Sequence, residues 1–271
     1  MLWCVGSFSW FTDDPINYHI IANRVGKQFK SFAQHLEELF FPPRCIGCAR
    51  ITKVEQYDWR FLCRACFASI PLQSGAICSV CGRRFLFGKK GGFGIHSACK
   101  KECFYVLAAA APYRFPLVRQ IISRYKYNGV KELALPLSEL LRAHLVGVGI
   151  PDLSIYSIAP VPLYEKRLRM RGFNQSLFLA EAVATALRLK VIGGNLVRIR
   201  NNKPQITMRD WDMRRKNVIE CFRTRDASEI AGRNMIIVDD VSTSGATMSE
   251  AAKALKRAGA RRIIGLVVAR G

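Results

Sequence analysis

Acidic residues and long apolar runs are both scarce in this chain. Its 271 residues include 42 Lys and Arg but only 20 Asp and Glu, which gives a formal net charge of +22. An excess of this size predicts an anionic partner, which could be nucleic acid, a phosphorylated small molecule or an acidic membrane surface. The alternative is a basic protein with only non-specific affinity for polyanions, and charge alone does not separate the two.

Hydrophobic stretches long enough to cross a bilayer are also missing. The longest apolar runs, YVLAAAA and IIGLVVA, have the length of strands and fall far short of the roughly 20 residues that a membrane span needs. The opening MLWCVGSFSWF lacks the basic segment and the small-residue cleavage site of a secretory signal. We therefore expect a cytoplasmic protein with no transmembrane segment.

Residues 1–41 read as an N-terminal extension. Apolar residues recur at helical spacing between Tyr18 and Phe41, which predicts an amphipathic helix. We expect this helix to dock onto the body of the protein, with peripheral membrane contact as the alternative.

The ten cysteines of the chain include eight that form four close pairs. Two thiolates with two or three residues between them can hold one metal ion from a tight turn, and a second pair completes a tetrahedron. Eight sulfurs predict two structural zinc sites in a small domain over 42–104, and closed sites of this kind leave no position for catalysis. Sequential and interleaved pairings both remain open. The predicted ligands are Cys45, Cys48, Cys63, Cys66, Cys78, Cys81, Cys99 and Cys103.

Beyond Cys103 the pattern becomes an alternation of strands and helices over 105–271. YVLAAAAPYR, SIYSIAPVP, NMIIVDD and RRIIGLVVAR predict strands, and the segments between them include amphipathic helices, one of which opens at the N-cap Asn174. This alternation predicts an α/β fold with a mostly parallel sheet flanked by helices. Ligands of such sheets bind beyond the carboxyl ends of the strands.

The stretch MIIVDDVSTSGAT predicts a ligand site at that edge. If the strand ends at Val238, then Asp239 and Asp240 lie on the binding edge, and the small residues after them lead directly into a helix. Helix N-terminal amides and short hydroxyls bind phosphate, whereas the acids suit sugar hydroxyls or a magnesium-bearing group. A ribose 5-phosphate satisfies both halves. The alternative, a simple capped turn at a solvent edge, does not explain two adjacent acids.

This stretch resembles the phosphoribosyl pyrophosphate (PRPP) signature of type I phosphoribosyltransferases. Together with FPPRCIGC, APVPLYEKRLRMRGFNQS, RIRNNKPQITMRDWDMRRKNV and the closing VVAR, it resembles the ComF family of phosphoribosyltransferase-like proteins linked to DNA uptake in natural competence. The resemblance runs from about Phe40 to Gly271. It implies a double zinc ribbon followed by a phosphoribosyltransferase-like domain.

The resemblance also implies a PRPP site that works with magnesium. The two acids would hold the ribose hydroxyls, the following loop would hold the 5-phosphate, and the cations after the SIAPVP strand would meet the pyrophosphate, although those cations could equally form a solvated basic face. Ser244 replaces the threonine of the commoner signature and keeps its hydroxyl. The implied PRPP-binding residues are Asp239, Asp240, Ser242, Thr243, Ser244, Gly245, Ala246, Thr247, Lys166, Arg167, Arg169 and Arg171.

A second basic segment interleaves cations with an aromatic residue. Such a pattern suits single-stranded DNA, because phosphates meet the cations while a base stacks on the ring. The tryptophan of this segment could instead serve in packing. The predicted DNA-binding residues are Arg209, Trp211, Arg214, Arg215 and Lys216.

Three functional hypotheses follow. The first is a ComF-like protein that handles incoming single-stranded DNA with a PRPP-type site, in company with DNA-uptake proteins. The second is an active phosphoribosyltransferase that acts on a nitrogenous base, although neither a base-reading element nor a general base is evident in the sequence. The third is a PRPP-sensing regulator.

Overall fold

A seven-stranded mixed sheet forms the centre of the described part of the protein. The computed structural model describes residues 40–53, 59–86, 97–99, 104–150, 152–200 and 220–271. The strands of the sheet lie in the order β2-β1-β3-β9-β8-β4-β5, and β6 pairs with β7 in a separate hairpin. The strands are β1 (Ala76–Cys78), β2 (Arg84–Phe85), β3 (Val106–Pro112), β4 (Tyr156–Pro160), β5 (Lys190–Val191), β6 (Leu196–Arg198), β7 (Phe222–Thr224), β8 (Asn234–Ser242) and β9 (Ile263–Arg270).

The middle of this sheet is parallel, as the alternation of strands and helices predicts. β9 pairs in parallel with β3 and β8, and β4 pairs in parallel with β8 and β5. These strands are rich in Val, Ile and Ala and are buried along most of their length, as expected for strands covered on both faces. The predicted α/β class is confirmed.

Helices cover both faces of the sheet. The apolar residues of α2, α3 and α5 join one core with Ile236, Val238 and Leu266, whereas α6 and the β6–β7 hairpin join the other with Met235 and Ile237. Side chains of β8 therefore alternate between the two cores. The helices are α1 (Arg64–Ala68), α2 (Pro116–Tyr127), α3 (Ala134–Gly147), α4 (Glu165–Arg171), α5 (Gln175–Leu187) and α6 (Ala246–Arg257).

The cysteine-rich segment is continuous with the main sheet. The antiparallel hairpin β1–β2 lies inside the predicted zinc-binding domain, yet Ile77 and Cys78 of β1 pair with Leu107 and Val106 of β3. The division at 104/105 thus separates two segments of sequence whose strands share one sheet, and as a domain boundary it stays a prediction.

Two further expectations concern the N-terminal helix and membrane-spanning segments. The predicted amphipathic helix falls almost entirely on residues 1–39, which lie outside the described residues. Within the described part of the chain, no helix is long and apolar enough to cross a membrane.

Candidate functional site

The candidate site lies where β8 extends beyond the end of its neighbour β4. β4 pairs with β8 only as far as Pro160 and Val238, whereas β9 continues to pair with β8 up to Ser242 and Arg270. We expected the strand to end at Val238, and this expectation is wrong by four residues, because β9 supplies hydrogen-bond partners after β4 has ended. Asp239 and Asp240 therefore lie within a strand whose side toward β4 is open.

The strand geometry separates the two acids. Successive side chains of a strand point to opposite faces, so adjacent aspartates cannot share one pocket while both remain in β8. Asp239 lines a pocket with residues 241–248, and Asp240 is not among the residues that line it. In the structure Asp239 thus faces the pocket and Asp240 points to the opposite face. That both acids hold the ribose hydroxyls stays a prediction.

Asp240 is buried in an ion pair on the face covered by α2. The ammonium nitrogen of Lys126 lies 2.8 Å from Oδ1 of Asp240, whose side chain is 5 % exposed. Burial opposes the charge of Lys126, but the two carboxylates of Asp240 and Asp239 outweigh it and raise the pKa of Lys126. The protonated, positively charged form of Lys126 is therefore favoured.

Asp239 has a very different electrostatic environment. Its Oδ1 accepts hydrogen bonds from the hydroxyl of Ser176, at 2.8 Å, and from the backbone N–H of Asp240, at 2.9 Å. Burial and the neighbouring charge of Asp240 raise the pKa of Asp239 to about 7, although Lys126 and these hydrogen bonds act in the opposite direction. A carboxylate held at such a high pKa gains from a ligand that brings hydroxyl donors or a cation.

The loop after β8 forms the other wall of the pocket and leads into α6. Gly245 has φ +74° and is the N-cap of α6, but it has no side chain that could cap the helix amides, and the first turn contains no acidic residue. The hydroxyl of Ser242 is buried and has no hydrogen-bond partner among the described residues. A helix N-terminus with an unpaired hydroxyl beside it is suited to a phosphate group.

Close packing beneath the loop fixes the position of the helix N-terminus. A Cβ at Gly265 of β9 would lie 2.9 Å from Cγ of Met248 and 3.2 Å from the ring of Tyr105. The hydroxyl of Tyr105 in turn donates to the carbonyl of Gly245 at 3.4 Å. The first turn of α6 therefore rests directly on the sheet, which is possible because position 265 has no side chain.

The four predicted cations on α4 do not share one environment. Arg169 forms an ion pair with Glu165, 3.1 Å away, and both side chains are largely exposed. Arg167 is closer to the interior: burial and the charge of Arg171 lower its pKa. Lys166 is exposed, and the guanidinium of Arg171 lies 5.6 Å from the ring centre of Tyr127. Arg167 and Arg171 are thus the cations of α4 that turn toward the body of the protein.

Three residues that the sequence did not single out belong to this region. Ser176 follows the N-cap Asn174, whose predicted capping role is confirmed because its side chain accepts from the backbone N–H of Ser176. Lys126 and Arg198 come from distant parts of the chain. Burial and the charge of Arg167 lower the pKa of Arg198, although the charge of Asp239 acts in the opposite direction. Only Ser176 had a local signal, since it lies within the GFNQS motif.

The cysteines form two compact groups in the described residues. Ligand sulfurs of Cys45, Cys48, Cys63 and Cys66 all lie within 4.8 Å of one another, and so do those of Cys78, Cys81 and Cys99. The pairing is therefore sequential, first pair with second and third with fourth. The eighth predicted ligand, Cys103, falls outside the described residues.

The geometry of the first group suits zinc. The sulfurs of Cys48 and Cys63 lie 3.7 Å apart, close to the roughly 3.8 Å edge that a zinc–sulfur bond of about 2.3 Å gives in a tetrahedron. The backbone N–H of Gly47 points at the sulfur of Cys45, at 3.3 Å, and a Cβ at Gly47 would lie only 2.8 Å from the sulfur of Cys66. Burial of Cys45 opposes ionisation, but backbone N–H groups outweigh it and lower the pKa of this thiol to about 7. Gly47 thus lets the backbone N–H approach the sulfur of Cys45 in this turn.

The predicted DNA-binding segment cannot be placed. All five of its residues, Arg209, Trp211, Arg214, Arg215 and Lys216, lie in the stretch 201–219 outside the described residues. The two ends of that stretch are joined by the β6–β7 hairpin, in which the N–H of Ile199 donates to the carbonyl of Cys221 at 2.8 Å.

Two family models match this chain. The model of the phosphoribosyl transferase domain matches residues 174–271, which contain Ser176, β8 and the loop into α6. The model of the double zinc ribbon domain matches residues 36–103, which contain all eight paired cysteines.

Curated relatives match most of the chain. The DNA utilization protein YhgH of Escherichia coli (strain K12) is 32% identical over 220 residues, which cover 74% of this chain and 93% of that protein. The competence protein ComFC of Bacillus subtilis is 24% identical over 208 residues, 73% of this chain and 79% of its own length. Competence protein F of Haemophilus influenzae is 25% identical over 235 residues, 83% of this chain and 95% of its own length. With a double zinc ribbon, a phosphoribosyl transferase domain and these relatives, the chain belongs to the ComF family.

Proposed function

We propose that this protein binds PRPP in the pocket beside Asp239 and handles single-stranded DNA during DNA uptake. The observation that carries the first half is that one pocket contains both a carboxylate with a high pKa and the N-terminus of α6, whose N-cap Gly245 has no capping side chain. The second half rests on the net charge of +22 and on relatives named for DNA utilization and competence. We place this activity in the cytoplasm, where thiols stay reduced and free to bind zinc.

In this proposal each part of the pocket has its own ligand group. The loop 242–247 and the first amides of α6 hold the 5-phosphate, since that wall has donors and no acid. Asp239 accepts hydrogen bonds from the ribose hydroxyls. Asp240 does not touch the ligand but keeps Lys126, and with it the end of α2, against the strand.

Magnesium fits this site as a companion of the ligand. Magnesium ions usually take one or two carboxylates together with phosphate oxygens, rather than a cage made entirely of protein groups. Asp239 is the carboxylate that lines the pocket within the described residues, so the remaining ligands would come from PRPP and water. The ion would reduce the charge repulsion between the phosphates and Asp239.

Titration calorimetry with PRPP and magnesium tests the site. We expect the wild-type protein to bind and Asp239→Asn to weaken binding at least tenfold, because a carboxamide accepts less strongly from hydroxyls and cannot face a cation. Asp152→Asn is the matched control, since it removes one negative charge from an exposed position away from the pocket. Equal affinity in the wild type and in Asp239→Asn would refute the assignment.

Fluorescence anisotropy with a labelled oligothymidylate tests DNA binding. We expect affinity to fall steeply as salt rises, and to be weaker in Arg214→Gln/Arg215→Gln than in the wild type. Arg119→Gln/Arg124→Gln removes the same charge from the exposed face of α2 and serves as the control. If the two double variants bind equally, the DNA surface is not at Arg214 and Arg215.

Phosphoribosyl transfer is the second candidate, favoured by the match of the phosphoribosyl transferase domain over 174–271. In that reaction a nitrogenous base displaces pyrophosphate from C1 of the ribose, and the pocket would supply positioning and charge stabilisation. Release of pyrophosphate in the presence of PRPP and one of a panel of bases would favour this enzyme. Tight binding of PRPP without turnover would favour a sensing role.

A further inference from the structure

Arg198 occupies an unusual position on the face of the sheet that carries Asp239. It is the last residue of β6 and pairs with Phe222 of β7. Its guanidinium lies 5.5 Å from the ring centre of Phe222, which is itself buried. Because the β6–β7 hairpin and Asp239 belong to the same side of the sheet, a charged group is held there over an apolar floor.

The hydrogen bonds of this guanidinium are incomplete. Its Nε is buried and has no acceptor among the residues that the structure describes. An arginine has five N–H donors and cannot lose its charge, so a buried one needs acceptors from the protein or from a ligand. The stacking on Phe222 holds the side chain in place and does not satisfy Nε.

A second guanidinium, that of Arg167, lies close enough to act on the charge of Arg198. Burial and the charge of Arg167 lower the pKa of Arg198, whereas Asp239 raises it. The pKa of Arg167 is lowered in the same way, by burial and by Arg171. Arg167 therefore repels both Arg198 and Arg171, and the carboxylate of Asp239 attracts Arg198, whereas Asp240 is paired with Lys126. An anion beside these groups would relieve their repulsion and supply the missing acceptor.

This cationic region is separate from the phosphate wall of the pocket. The loop 242–247 belongs to the connection between β8 and α6, whereas Arg198 and Arg167 come from β6 and α4. Asp239 interacts with both, because it lines the pocket and its charge reaches Arg198. A ligand that has phosphates at two ends of a pentose can fill both places at once.

We propose that Arg198, supported by Arg167, binds the second anionic group of the ligand, the pyrophosphate of PRPP, and so discriminates PRPP from ribose 5-phosphate. This inference rests on the proposed PRPP site. A guanidinium binds phosphate oxygens through two parallel hydrogen bonds, which a lysine cannot reproduce. Arg198 thus becomes a specificity residue, placed on a different element from the cations that follow β4.

Calorimetry with three ligands in the presence of magnesium tests this assignment. The ligands are PRPP, ribose 5-phosphate and inorganic pyrophosphate, and the variants are Arg198→Met, which keeps an apolar stem over Phe222, and Arg198→Lys. We expect Arg198→Met to weaken the binding of PRPP and of pyrophosphate at least tenfold and to leave the affinity for ribose 5-phosphate within twofold of the wild type. The affinity of Arg198→Lys for PRPP and for pyrophosphate should lie between those of Arg198→Met and the wild type. Arg223→Met is the matched control on the neighbouring strand, where the side chain is exposed, and should change none of the three affinities.

The outcomes separate this inference from the proposed function. If the wild type binds PRPP and Arg198→Met binds it equally well, the inference fails alone. A similar loss for all three ligands, or a melting temperature well below that of the Arg223→Met control, would show a structural role and overturn the specificity assignment. If the wild type binds pyrophosphate through Arg198 but not PRPP, the proposed function fails while the anion subsite stands. Binding of none of the three ligands would overturn both.

Discussion

The ammonium nitrogen of Lys126 lies 2.8 Å from Oδ1 of Asp240, although the two residues are 114 positions apart in the chain. The contact joins the last turn of α2 to the part of β8 that extends beyond β4. Lys126 thereby neutralises one of the two adjacent acids and leaves the other, Asp239, to the pocket.

Removing Lys126 should destabilise the fold. Lys126→Met leaves the buried carboxylate of Asp240 without a partner, and the loss of one member of a buried pair lowers the free energy of unfolding by about 3 kcal/mol. Urea denaturation monitored by circular dichroism measures the change. Lys126→Met/Asp240→Asn should recover much of the loss, because no unpaired charge remains. Arg119→Met, on the exposed face of the same helix, should stay within about 0.5 kcal/mol of the wild type. An equally small effect in Lys126→Met would show that the pair contributes little.

Asp239 should make stability depend on pH in a direction opposite to that of most carboxyl groups. Its folded-state pKa, about 7, lies above the ordinary value of 3.8, so the folded protein holds a proton that the unfolded chain has lost. The contribution of this group to stability is therefore complete below about pH 4 and is lost as pH rises to about 7. Asp239→Asn removes the effect, so it should raise the melting temperature by several degrees at pH 8 and by less at pH 5.

Differential scanning fluorimetry across this pH range checks the prediction. Asp152→Asn, at an exposed position, should give the same small difference from the wild type at both pH values. If the gain from Asp239→Asn is constant with pH, the carboxyl group does not titrate between pH 4 and 7. If Asp239→Asn raises the melting temperature and also loses PRPP binding, then Asp239 serves ligand binding and lowers the stability of the fold.

A methyl group at Gly265 should disturb the phosphate wall from below. Its Cβ would lie 2.9 Å from Cγ of Met248 in the first turn of α6, so either Met248 or the helix must shift. Overpacking of this kind lowers the free energy of unfolding by about 1–3 kcal/mol, and a displaced helix N-terminus should also weaken ribose 5-phosphate binding. Denaturation and calorimetry on Gly265→Ala measure the two effects.

Gly193→Ala is the control for that substitution. A Cβ at Gly193 would make only ordinary contacts, the closest at 3.9 Å, and its φ is not in the left-handed region. We expect it to bind ribose 5-phosphate as the wild type does. Wild-type binding and stability in Gly265→Ala would mean that α6 does not depend on this close approach.

Zinc content should follow the sequential pairing of the cysteines. With eight paired cysteines we expect about two zinc ions per chain, and Cys66→Ser should reduce this by about one because it opens the first site. Cys221→Ala alters a buried cysteine that belongs to neither cluster and should keep both ions. Elemental analysis of the purified proteins decides the matter, and unchanged zinc in Cys66→Ser would contradict the assignment of that site.

Short-range patterns allowed much of the fold to be predicted. Apolar runs of strand length alternate with helical periodicity, which indicated a mostly parallel sheet, and the N-cap role of Asn174 follows from its own side chain. The spacing of two residues in each CxxC pair brings two sulfurs to one turn, so the zinc-binding turns could also be located. These features depend on residues close in sequence, where local geometry is decisive.

The amino-acid sequence by itself determined the kinds of group present at the site: two adjacent acids, a loop of small hydroxyl residues, a glycine before a helix, and paired thiols. Only the tertiary structure decided how these groups are used. β9 extends β8 to Ser242, and this extension sends Asp239 and Asp240 to opposite faces. Lys126 and Arg198 reach these surroundings from distant elements, because pairing between strands and burial of charge are settled by contacts that no local pattern records.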